Sequence, residues 1–381
     1  MAKRDDPVYL DYNATAPTRP EVIEAVAAAM AEPGNPSSVH GFGRTARRIV
    51  EDAREKIAAL LGADPAGVVF TSGGTEANDL AIRGSGPARI AVSAIEHPAV
   101  LATADTAAMV PAGPDGVIDL AALREVLEGW RQAAPEDRLM VSLMLANNET
   151  GVVQPVAEAA EIARAHGTVM HTDAVQATGK MPVDLGALGV DMLSLSAHKI
   201  GGPNGIGALV LADGVEVTAR IRGGGQERGR RGGTENVAAI AGFGVAAELA
   251  GRELDAFAGL AVLRDDLEAR LLAAVPGLTV FGRGAPRLPN TSCIAMPGVA
   301  ADTQLIAFDT DGYAISAGAA CSSGKVAVSP VLAAMGATTE EAGSTIRVSL
   351  GLHNTAADVA DFAAAWLALC RRVGADTGRA A

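Results

Sequence analysis

The 381 residues are 49% hydrophobic and 20% charged, enough for a large core, and at roughly 150 residues per domain they suggest a large domain plus a smaller one. A net charge of −13, with only 7 Phe, 3 Tyr and 2 Trp, argues against a nucleic-acid platform or an anionic membrane surface as partner. The longest apolar run, Phe362 to Cys370, is far short of the ~20 residues that cross a bilayer, and the segment Met1 to Pro7 has no apolar leader core. Three scattered cysteines, Cys293, Cys321 and Cys370, form neither a disulfide framework nor a metal knuckle, so no metal site and a cytoplasmic setting are expected.

Along the chain, short runs rich in Val, Ile and Leu alternate with helical segments. Strands are expected at Val68–Thr71, Ile90–Ser93, Leu139–Leu145, Thr168–Thr172, Met192–Leu195 and Ile206–Leu211. Between them Glu76–Ile82 and Pro155–His166 read as helices, the second carrying Val156, Ala159, Ala160 and Ala163 on one face. Continuous apolar strands alternating with helices predict an α/β fold with a mainly parallel sheet covered on both faces. Helices follow at Asn236–Ala250 and Leu254–Val275, then an α+β mixture with Thr291–Met296, Asp302–Asp309 and Ile346–Leu350. The expected division is a large domain over 16–258 and a small one over 259–381, with residues 1–15 packing on the small one.

Ligands of an open parallel sheet sit beyond its carboxyl strand ends, so the residues there carry the chemistry. After the first strand, Ser72-Gly73-Gly74-Thr75-Glu76 suits either a phosphate cradle or an ordinary helix N-cap. Glu96-His97-Pro98, Asn147-Asn148-Glu149-Thr150-Gly151 and Asp173-Ala174-Val175-Gln176 follow later strands. Ser196-Ala197-His198-Lys199 then runs into the Gly201-Gly202-Pro203-Asn204-Gly205 turn. A lysine hemmed by apolar strands loses pKa by burial and becomes a nucleophilic amine. Pyridoxal 5'-phosphate needs this set: a phosphate cradle, an acid for the pyridine nitrogen, a planar partner and a Schiff-base lysine. Two loose G-x-G-x-x-A matches, at Gly41–Ala46 and Gly242–Ala247, follow no strand and are not read as nucleotide sites.

The ordered motifs resemble the cysteine desulfurases of the class V aminotransferase group, which are fold type I pyridoxal-phosphate enzymes. They include Tyr9-Leu10-Asp11-Tyr12-Asn13-Ala14-Thr15, Gly34-Asn35-Pro36, Ser72–Glu76, Asn147–Gly151, Asp173–Gln176 and Ser196–Lys199. Gly223–Glu227, Arg231–Thr234, Gly318–Gly324 and Ile346–Gly351 complete them. The resemblance implies Lys199 as the Schiff-base lysine, Asp173 on the pyridinium nitrogen and His97 stacked on the ring as a proton carrier. It implies Asn148 and Gln176 at the ring or its phenolic oxygen. Gly74, Thr75, Ser196 and His198 would hold the phosphate, with Thr234 reaching it from the second subunit of a homodimer. Asn35 and Arg347 would bind the carboxylate of L-cysteine. Cys321 would be the nucleophile that takes sulfur as a persulfide, leaves L-alanine, and passes the sulfur to an acceptor protein such as an iron–sulfur scaffold. Another class V activity, a transaminase, β-lyase or selenocysteine lyase that does not need Cys321, is the alternative.

The chain departs from that pattern at Asp79, where asparagine is usual, at Ala317 and Ala319, where serines are common, and at Asn204, where a basic residue is commoner. Apart from Cys321, every residue from Ser316 to Gly324 is Gly, Ala or Ser. That composition predicts raised mobility over about 319–329, with Cys321 carried on a movable segment.

Overall fold

The computed structural model describes residues 6–104, 106–318 and 329–377, with side chains as far as residue 372. Its strands are β1 (Val8–Tyr9), β2 (Val68–Thr71), β3 (Arg89–Ser93), β4 (Ala108–Val110), β5 (Leu139–Ser142), β6 (Val169–Asp173) and β7 (Met192–Ser196). They continue with β8 (Gly207–Leu211), β9 (Thr291–Ala295), β10 (Tyr313–Ala314), β11 (Ser316–Ala317) and β12 (Thr345–Ser349). A seven-stranded sheet runs in the order β2-β8-β7-β6-β5-β3-β4. Every pairing in it is parallel except those of β8, which is antiparallel to both β2 and β7. The expected mainly parallel sheet is therefore present, with one reversed strand.

Side chains alternate across this sheet, and both faces are apolar. Val68 and Phe70 enter one core with Val50, Ile57, Leu127 and Phe243, while Val69 enters another with Leu80, Met140 and Leu209. Burial on both faces is why the strands read as unbroken apolar runs. Each fully buried Leu, Ile or Phe contributes roughly 1.5–3 kcal/mol of transfer free energy.

Two helices lie where the G-x-G matches fell. Helix Gly41–Leu60 packs on helix Val237–Arg252, and a Cβ on Gly244 would stand 2.7 Å from Ala53 Cα. A Cβ on Gly43 would stand 2.2 Å from the Ser38 carbonyl oxygen. Close helix and loop approach explains those glycines without a nucleotide.

Two sequence expectations shift in detail, and one strand is additional. The strand expected to Leu145 ends at Ser142, because the Met144 N–H turns to Glu96 Oε1 at 2.7 Å. The helix expected over 254–275 is broken at Gly259 into Leu254–Ala258 and Leu260–Ala274. Strand β4 carries no long apolar run and was not expected.

A second sheet, β11-β12-β9, is antiparallel and covers another core, in which Leu267, Phe308, Phe362 and Trp366 are fully buried. β1 pairs in parallel with β10, which brings Val8 and Leu10 into that core. An isolated bridge from Asp11 to Ser349 ties the N-terminal segment to β12. Residues 11–15 thus run between the two sheets, and the site lies along that seam.

Candidate active site

A cavity of about 480 Å³ opens where the carboxyl ends of β2, β3, β5, β6 and β7 meet β11 and β12. Its volume is that of a small-ligand site. Lys199 stands in the single turn that follows β7, with Nζ donating to the carbonyls of Asn13 and Ala14, both at 2.7 Å. Burial, reinforced by the positive charge of Arg347, pulls its pKa down to about 8 despite the opposing pull of Asp11 and Asp173. The amine is therefore within reach of its neutral, nucleophilic form near physiological pH.

Asp173, the last residue of β6, is buried and accepts at both oxygens: from Val175 N at 2.9 Å and from Asn78 Nδ2 at 2.7 Å. Two N–H donors on one carboxylate are the arrangement of a held anion. His97 borders the same cavity and caps the short helix Pro98–Leu101, its Nδ1 accepting from Ala99 N at 3.1 Å. A ring nitrogen that accepts carries no proton, so the His97 proton sits on Nε2. Burial lowers the His97 pKa, Asp173 opposes that change and Lys199 adds to it.

The helix Gly74–Ser85 begins at the cavity, and Gly73 before it adopts φ 155°, ψ −179°. That backbone conformation belongs to glycine. A Cβ on Gly74 would come 2.8 Å from Val175 Cγ2. Bare backbone at a helix start leaves N–H groups free to face an anion, as P–O oxygens require. Glu76 in the first turn takes the Ser72 N–H at 2.8 Å and is bridged by Arg231 at 2.8 Å. Ser196 and His198 complete this corner, and burial lowers the His198 pKa to about 4.

The opposite wall comes from the small sheet. Arg347 on β12 gives Nη1 to the Asn148 carbonyl at 3.0 Å and Nη2 to Asp11 Oδ1 at 2.7 Å. Its buried Nε has no partner among the described residues. Asp11 Oδ2 accepts from Ser316 Oγ at 2.9 Å. The structure thus gathers Gly74, Thr75, His97, Asn148, Asp173, Gln176, Ser196, His198, Lys199 and Arg347 around one cavity. Asn35 and Thr234 are exposed and do not line it; Asn35 Oδ1 instead caps Ser37 N at 2.9 Å. Cys321, and residues 319–328 of the segment over 319–329 expected to be mobile, lie outside the described residues.

The family model for aminotransferase class-V matches residues 8–362. The chain belongs to the class-V aminotransferase family. It is 45% identical over 368 residues to a cysteine desulfurase of Cereibacter sphaeroides, covering 92% of each chain. It is 40% identical to the cysteine desulfurase IscS of Dictyoglomus turgidum, over 92% of this chain and 91% of that one. Among solved structures, a NifS-like protein from Rickettsia africae matches with a TM-score of 0.86 at 36% identity, covering 94% of this chain and 98% of that chain.

Within this family framework several site residues escaped the sequence reading. Asn78 is the donor that holds Asp173, whereas its neighbour Asp79, singled out as the departure, sits at the surface near Arg83 and Arg220. Asn78 lies one helical turn beyond Gly74 on the buried side of its helix, and a buried polar residue there was the available signal. Asn13 stands inside a motif that assigns it no role. Its carbonyl seats Lys199, and its side chain reaches Asn148 O, Thr291 Oγ1 and Asn290 Nδ2. Glu149 accepts from Ser329 Oγ at 2.5 Å, and a Cβ on Gly318 would stand 2.6 Å from its Oε2. No linear spacing announces these long-range contacts.

Proposed function

We propose that this chain is a pyridoxal 5'-phosphate-dependent cysteine desulfurase acting as a homodimer. Sulfur from L-cysteine would be taken onto Cys321 as a persulfide, L-alanine released, and the sulfur handed to an acceptor protein such as an iron–sulfur scaffold. The observation that carries the reading is one cavity holding a depressed-pKa lysine, a carboxylate fixed by two N–H donors, and a bare helix N-terminus. Relatives named as cysteine desulfurases, aligned over nine-tenths of the chain, support the choice of reaction.

The residues suit the cofactor. Lys199 offers the amine, Asp173 an anion for a protonated ring nitrogen, His97 a flat ring, and Gly74, Thr75, Ser196 and His198 a phosphate corner. When bound, the cofactor would supply an electron sink for the pair left behind as a substrate proton departs. Lys199 Nζ accepts that proton when neutral and returns it when charged. Arg347 holds the substrate carboxylate, with Nε, unpartnered among the described residues, available as a donor. His97, protonated at Nε2, can exchange a proton at the substrate sulfur. The substrate Cβ–S bond breaks and an S–S bond to Cys321 forms. The carbon gains a proton, so cysteine plus thiol gives alanine plus persulfide with no outside oxidant.

Thr234 supports a shared site, because it is exposed and off the cavity of its own chain. Its loop is held in shape: Glu227 and Arg228 adopt φ of 49° and 57°, and Glu227 is clamped by buried Arg54 at 2.9 Å. The deciding experiment supplies L-cysteine and a thiol reductant and measures alanine and sulfide. Equal amounts are expected, with both lost in Cys321→Ser. Alanine formation that survives this substitution would point to the Cys321-independent alternative.

A further inference from the structure

Lys180 takes no part in the chemistry outlined above, yet it is 2% exposed and lies directly behind the site. Its Nζ donates to Asn13 Oδ1 and to Gln176 Oε1, both at 2.6 Å, and neither partner is an anion. Burial drives its pKa well below the ordinary ammonium value, and Lys199 and Arg347 push the same way. A small cavity that both Lys180 and Lys199 border is also lined by Tyr12, Arg19, Glu253 and His353. The carboxylate there, Glu253, is already held by Arg19, and the Tyr12 hydroxyl meets His353 Nδ1.

With two protons or three, a lysine Nζ donates to both oxygens. Gln176 Oε1 is thereby held toward Lys180, and its Nε2 toward the Asn13 carbonyl at 2.9 Å. Lys199 Nζ rests on that same carbonyl. Flipping the Gln176 amide would set Oε1 against the Asn13 carbonyl oxygen, a contact with no hydrogen bond, and would take the acceptor away from Lys180.

We propose that Lys180 is a positioning residue for Lys199: by tying Asn13 Oδ1 to Gln176 Oε1, it fixes the carbonyl that seats the Lys199 amine and the donor end of the Gln176 amide at the cofactor pocket. The inference rests on the proposed function in one respect, that the cavity takes pyridoxal 5'-phosphate. Its test is a pH titration of the absorbance of lysine-bound cofactor in wild type, Lys180→Met, Gln176→Leu and the double variant. Lys180→Met is expected to move the midpoint by about half a unit or more, a threefold change in proton affinity. It should lower kcat about tenfold while KM for cysteine stays within about twofold, since Arg347 is untouched. Gln176→Leu also removes that residue's own place at the pocket, so it should cost clearly less in the Lys180→Met background than in wild type, because the linkage is already gone there. A midpoint that does not move, or effects that simply multiply, overturns the proposal. A structural role alone would lower the melting temperature and leave the midpoint in place.

Should Lys180→Met fail to fold, Lys180→Gln keeps a donor for one of the two oxygens. There the rate at which apoenzyme captures added pyridoxal 5'-phosphate is the readout, and it needs no turnover. A fall of about threefold or more is expected from mis-seating of the amine, and an unchanged rate overturns the proposal. Wild type without lysine-bound cofactor absorbance refutes the proposed function. Wild type with that absorbance, beside a Lys180 variant of unmoved midpoint and capture rate, refutes this inference alone.

Discussion

The two walls of the cavity handle charge in opposite ways. On the wall made by the strand ends of the large sheet, burial drives several titratable groups around Asp173 toward neutrality: Lys199 down to about 8, His198 down to about 4, His97 down, and Glu96 up to about 8. On the wall made by the small sheet, charges are kept and paired, Arg347 with Asp11 and, behind them, Arg287 with Glu268 at 2.8 Å. A group whose pKa lies near ambient pH can give and take protons; a paired guanidinium cannot, but it binds a carboxylate well. The first wall is built to move protons and the second to hold a charge. Cysteine placed between them would have its reacting carbon on one side and its carboxylate on the other.

The strongest test of this division is Lys199→Ala. We expect a folded protein that loses at least about 10⁴-fold in desulfurase activity and shows no lysine-bound cofactor absorbance. Retention of that absorbance would place the reactive amine elsewhere. Asp173→Asn should come next, at about 10²–10³-fold in kcat, measured with cofactor saturating. The amide replaces one acceptor oxygen by an NH2 group. It must then face either the Asn78 Nδ2 donor or the Val175 N–H. A variant within a few-fold of wild type would show that this carboxylate carries no catalytic charge.

The second wall should respond through binding alone. Arg347→Lys keeps the charge and loses the fork that reaches Asn148 and Asp11 together. KM for cysteine is expected to rise about 10–100-fold with kcat within about threefold, the sign of lost ground-state binding. If kcat fell as far as kcat/KM, the guanidinium would be acting on the reacting atoms and the contrast between the walls would fail.

The first wall was also the legible one. Lys199, Asp173, His97 and the Gly73-Gly74 turn each follow a short apolar run, and the sheet rule says that strand ends are where ligands sit. Buried parallel strands announce themselves by unbroken Val, Ile and Leu, so polar residues just past them stand out. The second wall has no such frame. Thr291, Ser292, Arg347 and Ser349 lie inside strands and are buried, polar residues where a core strand is usually apolar. Their reason is spatial: Ser292 Oγ donates to Glu268 and Asn13 N donates to Ser349 Oγ, partners 24 and 336 residues away. Only the family motif points to Arg347, and nothing in the sequence marks Asp11 as its partner. Contacts across hundreds of residues leave no periodicity to read.

The finest probe of the first wall concerns Glu96. It is buried, with Oε1 accepting from Ser93 Oγ at 2.6 Å and from Met144 N at 2.7 Å, while Oε2 has no partner among the described residues. Burial raises its pKa to about 8, with Asp173 adding to the rise and the two hydrogen bonds opposing it. An unfolded glutamate titrates at about 4.3. Between those values the folded state binds the proton more tightly than the unfolded state, so stability falls as pH rises through that window. The contribution is fully present below about pH 4 and gone above about pH 8. Glu96→Gln keeps the accepting oxygen and cannot titrate. Its unfolding free energy in urea, relative to wild type, should therefore climb steadily from pH 5 to pH 8, by about 1.4 kcal/mol per pH unit, and level off above. A difference that stays flat across this range would mean that Glu96 is ionised in the folded protein. The first wall would then hold an unpaired anion beside Asp173, and neutrality by burial would no longer describe it.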